Sequence, residues 1–357
     1  MTIDASNWNK VTLGDIAQSL TIATKDPLSE GFERYVGLEH IEPGNIHIKS
    51  WGNVADGTTF TRVFRKGQVL FGKRRAYQKK AAMAEFDGVC SGDILVCEAI
   101  EGAVIPELLP FIVQSDRFFE YAIKTSAGSL SPRTKFKDLA KFTFKLPEKP
   151  VDQKRISALL WSIDETIERY IEIISRLSVI YLVELKNLVA IKGDQKKIGE
   201  VACLHYGDGL READRRDGPY LVVGSSGVVG KHTECRVKGP GIVIGRKGSA
   251  GEIIWIEDDF WPIDTTYWVE IKNKDVSLEY LYYALKSLNL SALTITTAVP
   301  GLNRDDVLLK SFSVPGLSVQ LKVVERFKRI QAMKEGFKNQ VVKIRNIQKQ
   351  IINQIFG

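Results

Sequence analysis

Cysteine and histidine are scarce in this chain, four of each in 357 residues. Cys90, Cys97, Cys203 and Cys235 never form a Cys-x-x-Cys pair, and none has a histidine at a familiar zinc-ligand spacing. No metal is assigned, and four reduced, mostly buried thiols are expected. Long apolar runs are missing as well: nothing approaches the ~18 consecutive apolar residues that cross a bilayer. Met1 and Thr2 are not followed by a charged lead and an apolar stretch. The resulting expectation is a cytoplasmic chain with no membrane partner.

Catalytic frames are equally scarce. Residues 225–232 resemble a phosphate loop at a glance, but a Walker A loop needs glycine where Ser225 stands and serine or threonine where His232 stands. There is no Asn-Pro-Pro-Tyr or Asp-Pro-Pro-Tyr stretch for adenine methylation and no paired acidic nuclease motif with its lysine. His40, His47, His205 and His232 lack a nucleophile in a recognisable frame. Asp258, Asp259 and Asp264 beside Trp261 read as a turn around a buried tryptophan rather than a metal site. The chain therefore reads as non-catalytic.

What is present is an ordinary globular balance, 44% hydrophobic and 26% charged, in a chain long enough for two or more domains. The net charge of +7 is localised. Residues 316–357 hold nine Lys or Arg against two Glu, leaving 41 charges of each sign in residues 1–315. A nucleic-acid footprint outside the last segment must come from local clusters.

The sequence also repeats itself. Residues 11–17 are answered by 197–202, and Tyr35, Val36 and Gly37 by 220–224. The run 69–74, an apolar strand ending in Gly72, Lys73 and Arg74, is answered by 242–247, ending in Gly245, Arg246 and Lys247. Residues 132–147, from Pro132 through Asp138 and Leu139 to Pro147, are answered by 300–315, from Pro300 through Asp306 and Val307 to Pro315, at a constant offset of 168. Short strands are expected at 67–71, 89–96, 241–244, 252–256 and 267–271, and helices at 107–124 and 278–293.

Each copy closes in a long helical segment. Ile156, Leu160, Ile163, Ile167, Tyr170, Ile174, Leu177, Tyr181, Leu185 and Leu188 alternate spacings of four and three, a heptad seam. The second series, Leu321, Val324, Phe327, Ile330, Phe337, Val341, Ile344, Ile347, Ile351 and Ile355, is less regular. A helix with one apolar stripe must bury it, and the simplest partner is the other helix, paired antiparallel as a coiled coil. The fold class is thus α+β: two similar mixed α/β domains, 1–149 and 194–316, each followed by a long helix, 150–193 and 317–357.

The sharpest basic cluster is Lys73, Arg74, Arg75, Lys79 and Lys80 around Tyr77, suited to neutralising phosphates with the ring on sugar or base. Arg246 and Lys247 are its counterparts. Arg133 and Lys135, matched by Asn303 and Arg304, follow a proline and precede a helix, a placement suited to base-edge or phosphate contact. Arg211, Arg215 and Arg216 lie among Glu212, Asp214 and Asp217 and read equally as DNA contacts or as paired surface charges.

Leu146 and Pro147, then 151–156 with Gln153, then Leu159, Leu160, Ile163, Asp164 and Ile167 resemble the proline, glutamine and helix pattern that closes each half of type I restriction-modification specificity subunits. Gly14 with Ile16 and Ala17, the turns at Gly72 and Gly245, and Pro132 or Pro300 leading to Leu139 or Val307 are similar to landmarks of that family's target recognition domains. The second closing segment, 315–320, lacks glutamine at the position matching Gln153 and has no proline pair. The resemblance spans essentially the whole chain. It implies a subunit that reads a bipartite double-stranded DNA target, one half-site per recognition domain, with the helices setting the unread gap. Two methyltransferase (modification) subunits would clasp it, and restriction/translocase subunits could join. S-adenosylmethionine, ATP and Mg would be bound by those partners and no cofactor by this chain. The rival readings are a coiled-coil protein-interaction scaffold and the specificity subunit of another methylase-based defence system.

Overall fold

The computed structural model describes residues 8–294 and 301–357; Met1, Thr2 and Pro300 lie outside them. The chain divides into two compact units, 1–171 with 339–357, and 172–338. Each unit therefore takes half of each long helix.

The first unit begins with β1 (Asn9–Thr12), a one-turn helix α1 (Leu13–Ile16) and β2 (Ala17–Leu20). Thr12 caps α1 reciprocally: its hydroxyl accepts from the Asp15 N–H, and the Asp15 carboxylate accepts from the Thr12 N–H at 2.7 Å. β3 (Arg34–Val36), β4 (Gly52–Asn53), β5 (Arg62–Phe64) and β8 (Gly88–Cys90) form a sheet of order β4-β3-β8-β5. β6 (Val69–Gly72), β7 (Ala81–Met83) and β9 (Ile94–Ala99) join β2 in an antiparallel sheet of order β2-β9-β6-β7. The strand expected at 89–96 is thus two, broken where the Ser91 hydroxyl accepts the Asp93 N–H in a turn. The helix expected at 107–124 is likewise two, α2 (Leu109–Ile112) and α3 (Asp116–Lys124), because Ser115 turns extended and caps α3. After α4 (Phe136–Leu139), β10 (Thr143–Leu146) pairs with β1, so the chain enters and leaves side by side. The long helix α5 (Pro150–Asn187) follows, with proline at its first position.

The second unit repeats this order. β11 (Asp194–Lys197), α6 (Ile198–Val201) and β12 (Ala202–Tyr206) lead into the hairpin of β13 (Tyr220–Gly224) and β14 (Gly227–His232). With β15 (Gly241–Gly245), β16 (Ile253–Ile256), β17 (Phe260–Pro262) and β18 (Thr266–Ile271) these build sheets of order β12-β18-β15-β16 and β14-β13-β17. The first order is that of β2-β9-β6-β7 in the other unit. The helix expected to reach Leu293 ends earlier, as α7 (Leu278–Ser287), where Asn289 turns left-handed at φ 45°. α8 (Arg304–Leu308) and β19 (Ser311–Val314), paired with β11, precede α9 (Leu317–Phe356).

Much of the helical seam packs into the domains rather than on the facing helix alone. In the first unit Leu160 of α5 and Ile352, Ile355 and Phe356 of α9 join Leu13, Phe71, Phe111, Phe118 and Phe142 in one core, with Ile156 and Ile351 packed at its edge. In the second, Leu185 of α5, Leu188 in the turn just after it, and Val324 and Phe327 of α9 join Ile198, Ile244, Tyr280 and Leu285. Each large apolar side chain so buried contributes ~1.5–3 kcal/mol. Ile167, Leu177 and Val341 are also buried, Ile163, Ile174 and Ile344 are half-buried, while Leu321 and Ile347 are exposed. Direct helix contact is plain in the second unit, where the Tyr181 and Phe327 rings lie 5.2 Å apart and Glu184 meets Arg326 at 3.1 Å. Lys334 reaches the Tyr181 ring from farther along α9, so the two run antiparallel there. In the first unit Asp164, Ile167 and Glu168 of α5 face Arg345, Lys349 and Ile352 of α9 across a cavity of about 330 Å³.

Polar ties lock each helix to its domain. Gln153 is buried; its Nε2 donates to Pro147 O at 2.8 Å and its Oε1 accepts Ile105 N–H, ahead of α2, at 2.9 Å. Gln320, fully buried, does the same for the second unit, donating to Pro315 O at 2.8 Å and Asp275 O at 2.7 Å and accepting from Ser277 N–H, ahead of α7, at 2.9 Å. The glutamine that seemed missing from the second copy is present one residue early.

His47 is the other tie. Its Nε2 lies 2.6 Å from Asp164 of α5 and its Nδ1 bonds Glu85. The Asp164 carboxylate, aided by Glu85 and opposed by burial, raises the imidazole from 6.5 to about 9. A raised folded value means stability that is complete below 6.5 and lost as pH rises through about 9. His47→Ala is expected to cost up to ~3 kcal/mol at pH 6 and little above pH ~9.5, read from urea unfolding of variant and parent at both pH values. An equal cost at both would remove the charged pair from the account.

Candidate nucleic-acid interface

In the first unit the basic loop leaves β6 at Gly72. Lys73 O accepts from Thr134 N–H at 3.0 Å and Arg75 N–H donates to Pro132 O at 2.8 Å, which sets the 73–80 loop beside the segment leading into α4. In the second unit Arg246 O accepts from Leu302 N–H at 2.9 Å, beside the segment leading into α8. Thr134 and Leu302 are the same position of the 168-residue repeat, so one backbone bond joins the same two segments in both units. Gly245 is required at its turn: a Cβ there would stand 2.1 Å from Ser249 O.

Several of the cations expected to meet phosphate are already engaged. Asp93, placed by the unexpected turn between β8 and β9, takes Arg133 at 2.8 Å and Arg74 at 3.3 Å. The Arg133 guanidinium is the main reason its carboxyl is held below the usual range. Lys79 meets Asp116 at 2.6 Å. Burial alone would raise Asp116, but hydrogen bonds from Lys79, Lys349 and Asn353 outweigh it and hold the carboxyl at about 2. Lys80 Nζ donates to Leu38 O at 2.6 Å, and Lys73 is half-buried, its ammonium pushed down by burial and then by Arg62. In the same loop Tyr77 is exposed, and the buried Arg75 Nε has no acceptor among the described residues. Arg75 also holds the left-handed region at φ 54°, a conformation that costs a non-glycine residue energy and clusters at functional sites. Lys135 is exposed at the N-cap of α4.

In the second unit Arg246, Lys247, Asn303 and Arg304 converge on one cleft of about 430 Å³, together with Tyr206 and Tyr267. Arg246 and Arg304 lie 4.9 and 5.5 Å from the Tyr206 ring. Arg246 Nη1 donates to Asp264 O at 2.9 Å and Arg304 Nε meets Asp305 at 3.4 Å, which leaves each guanidinium further N–H donors beside an aromatic face that offers stacking. Asn303 uses its side-chain oxygen to cap α8, accepting from Asp305 N–H at 2.8 Å. Tyr206 was not singled out from the sequence; a tyrosine closing a strand just before Gly207 was the available signal. The other expected cluster is used structurally: Arg211 pairs with Asp214 at 2.8 Å, and Arg215 donates to Val229 O at 2.9 Å, tying its loop to β14. Arg216 is exposed. Among the described residues, no hydrogen bond or ion pair joins these three arginines to the cleft.

Cys90 and Cys97 are buried and pushed up to about 12 by that burial, which makes them inert thiols. No helix of the described residues is long and apolar enough to cross a membrane.

Comparison with known proteins agrees with this duplicated arrangement. Residues 5–177 and 193–343 each match the family model of the type I restriction modification DNA specificity domain. The Escherichia coli type I restriction enzyme EcoDI specificity subunit is 25% identical over 177 residues, covering 46% of this chain and 37% of that relative. Among solved structures, a chain from a type I R-M system studied for complex assembly and conformational transition superposes with a TM-score of 0.65 at 16% identity, covering 98% of this chain and 97% of that one. The type I S subunit from M. genitalium gives 0.61 at 15% identity over 98% and 96%. At these identities the structural likeness speaks for the fold, and the two family matches, spanning most of the chain, speak for the family. The chain belongs to the type I restriction modification DNA specificity family.

Proposed function

We propose that this chain is the non-catalytic subunit that reads a bipartite double-stranded DNA target for a type I restriction-modification complex in the cytoplasm, one half-site per unit. The observation that carries the reading is the shared backbone bond, Thr134 N–H to Lys73 O in one unit and Leu302 N–H to Arg246 O in the other. It sets cationic side chains at a strand end against the N-terminus of a short helix twice in one chain. Two modest readers on one chain multiply their affinities and need no palindrome. Two methyltransferase subunits, holding S-adenosylmethionine, are the partners proposed for the helices, with restriction/translocase subunits supplying ATP- and Mg-dependent steps. The exposed apolar run Val179, Ile180, Leu182 and Val183 on α5 supports a protein partner there, since a contiguous apolar surface is unfavourable in water.

The test is to co-express the chain with a methyltransferase subunit and map N6-methyladenine across the host genome, then to repeat it with residues 194–316 exchanged for those of another family member. A two-part motif, changed in one half only by the exchange, is the expected result. A stable complex that methylates no motif would favour the protein-scaffold reading.

A further inference from the structure

A cluster outside the basic clefts brings together three metal-ligating side chains. Cys203 and His205 are two apart on β12, so strand alternation puts both on one face of the sheet, opposite Leu204 and Tyr206. Glu270 of β18 stands directly across from Cys203 in the register, and Trp268 across from His205. The Cys203 Sγ, a His205 ring nitrogen and a Glu270 carboxylate oxygen lie within 4.8 Å of one another, and His205 Nε2 is 2.7 Å from Glu270 Oε2. The imidazole is stacked on the Trp268 ring at 4.3 Å and 21°, which holds its orientation. Cys203 and His205 are half-buried and Glu270 is exposed, so solvent reaches this cluster on the outer strand of the sheet.

We propose that Cys203, His205 and Glu270 form a three-ligand site for a zinc-class divalent cation, with water in the fourth position. A tetrahedral zinc with sulfur and nitrogen or oxygen donors needs ligand atoms ~3.5 Å apart. The donor atoms already lie within 4.8 Å of one another, and the ion would replace the 2.7 Å hydrogen bond between His205 and Glu270. On binding, the Cys203 thiol releases its proton to solvent, and the thiolate and the Glu270 carboxylate together balance the dication's charge. Thiolate with imidazole selects zinc, cobalt or copper over magnesium and calcium, which prefer all-oxygen sites. The bound ion would clamp the outer strand β12 to β18 next to Tyr206, whose ring lines the basic cleft on the other face. The site does not depend on the DNA-reading role.

The probe is cobalt(II) chloride, titrated into the full-length chain in its purified complex, without a histidine tag, and followed by absorbance; zinc(II) chloride then competes. A thiolate-to-cobalt charge-transfer band with intense visible bands, saturating at one equivalent and bleached by zinc, is the expected result. C203S should remove the charge-transfer band, and H205A and E270Q should each weaken zinc binding by at least the ~10-fold that loss of even an outer-shell partner costs. Trp268 emission should be quenched by cobalt in the parent and not in H205A. These residues are half-buried or exposed, so the variants are expected to fold, checked by circular dichroism. No band at millimolar cobalt would overturn the site, and a band that survives in C203S would overturn this ligand set and move attention to Cys235 beside Asp259.

Discussion

Arg246→Ala with Arg304→Ala is expected to weaken cognate DNA binding by at least ~30-fold, since a bidentate guanidinium contact is worth ~1–3 kcal/mol. The two guanidinium groups flank one ring, so their effects will not simply add. Anisotropy titrations of the methyltransferase-bound complex at several salt concentrations separate the modes. If both arginines hold phosphates, removing them weakens binding to every duplex and flattens the salt slope by ~0.9 for each phosphate no longer neutralised. If they hold base edges, affinity for non-cognate DNA stays unchanged. Replacing both by lysine keeps the charge but not the fork, and should rescue the first mode only. Unchanged affinity in the double alanine variant would take this cleft out of the interface.

Gln320→Ala should be strongly damaging to the second unit. It leaves Ser277 N–H, Asp275 O and Pro315 O without the fully buried amide that joins them, and each orphaned group that water does not reach costs ~1–3 kcal/mol. A loss of ~3 kcal/mol or more, seen as a fall in Tm of roughly 6–12 °C, is expected for a unit of this size. Gln153→Ala strands two groups and should cost less. Gln320→Glu keeps the acceptor for Ser277 but sets a carboxylate against two carbonyl oxygens, so it should be no better than alanine. If Gln320→Ala costs under ~1 kcal/mol, water has replaced the amide and the clamp is not what joins helix to domain.

How far the sequence went can be read from these two sites. The duplication was legible because a repeated chain repeats its strand-to-glycine-to-cation runs and its closing prolines. The two long helices were legible from heptad spacing. Less legible was where the apolar stripe goes, since spacing shows that Leu160 and Phe327 need burial but not whether a helix or a domain supplies it. Gln320 was missed because alignment at a constant offset ignores a one-residue deletion, whereas a hydrogen-bond site tolerates it. The strand break at 91–93 and the helix break at Ser115 were missed because the apolar runs on either side were read as one element each; Ser91-Gly92-Asp93 and Gln114-Ser115-Asp116 interrupt them, and hydrogen bonds from Asp93 N–H to Ser91 and from Phe118 N–H to Ser115 turn the chain there.

The sequence by itself determined the class of fold, its two-fold repetition, the absence of a recognisable catalytic frame and the family resemblance, since these rest on local periodicity and order along the chain. Only the tertiary structure decided which cations are paired within the chain. Arg74, Arg133 and Lys79 look unpaired in the sequence, but Asp93 and Asp116, distant in the chain, lie beside them in space. Cys203, His205 and Glu270 were separated for the same reason: strand register brings residue 270 to residue 203, and no spacing along the chain encodes that pairing.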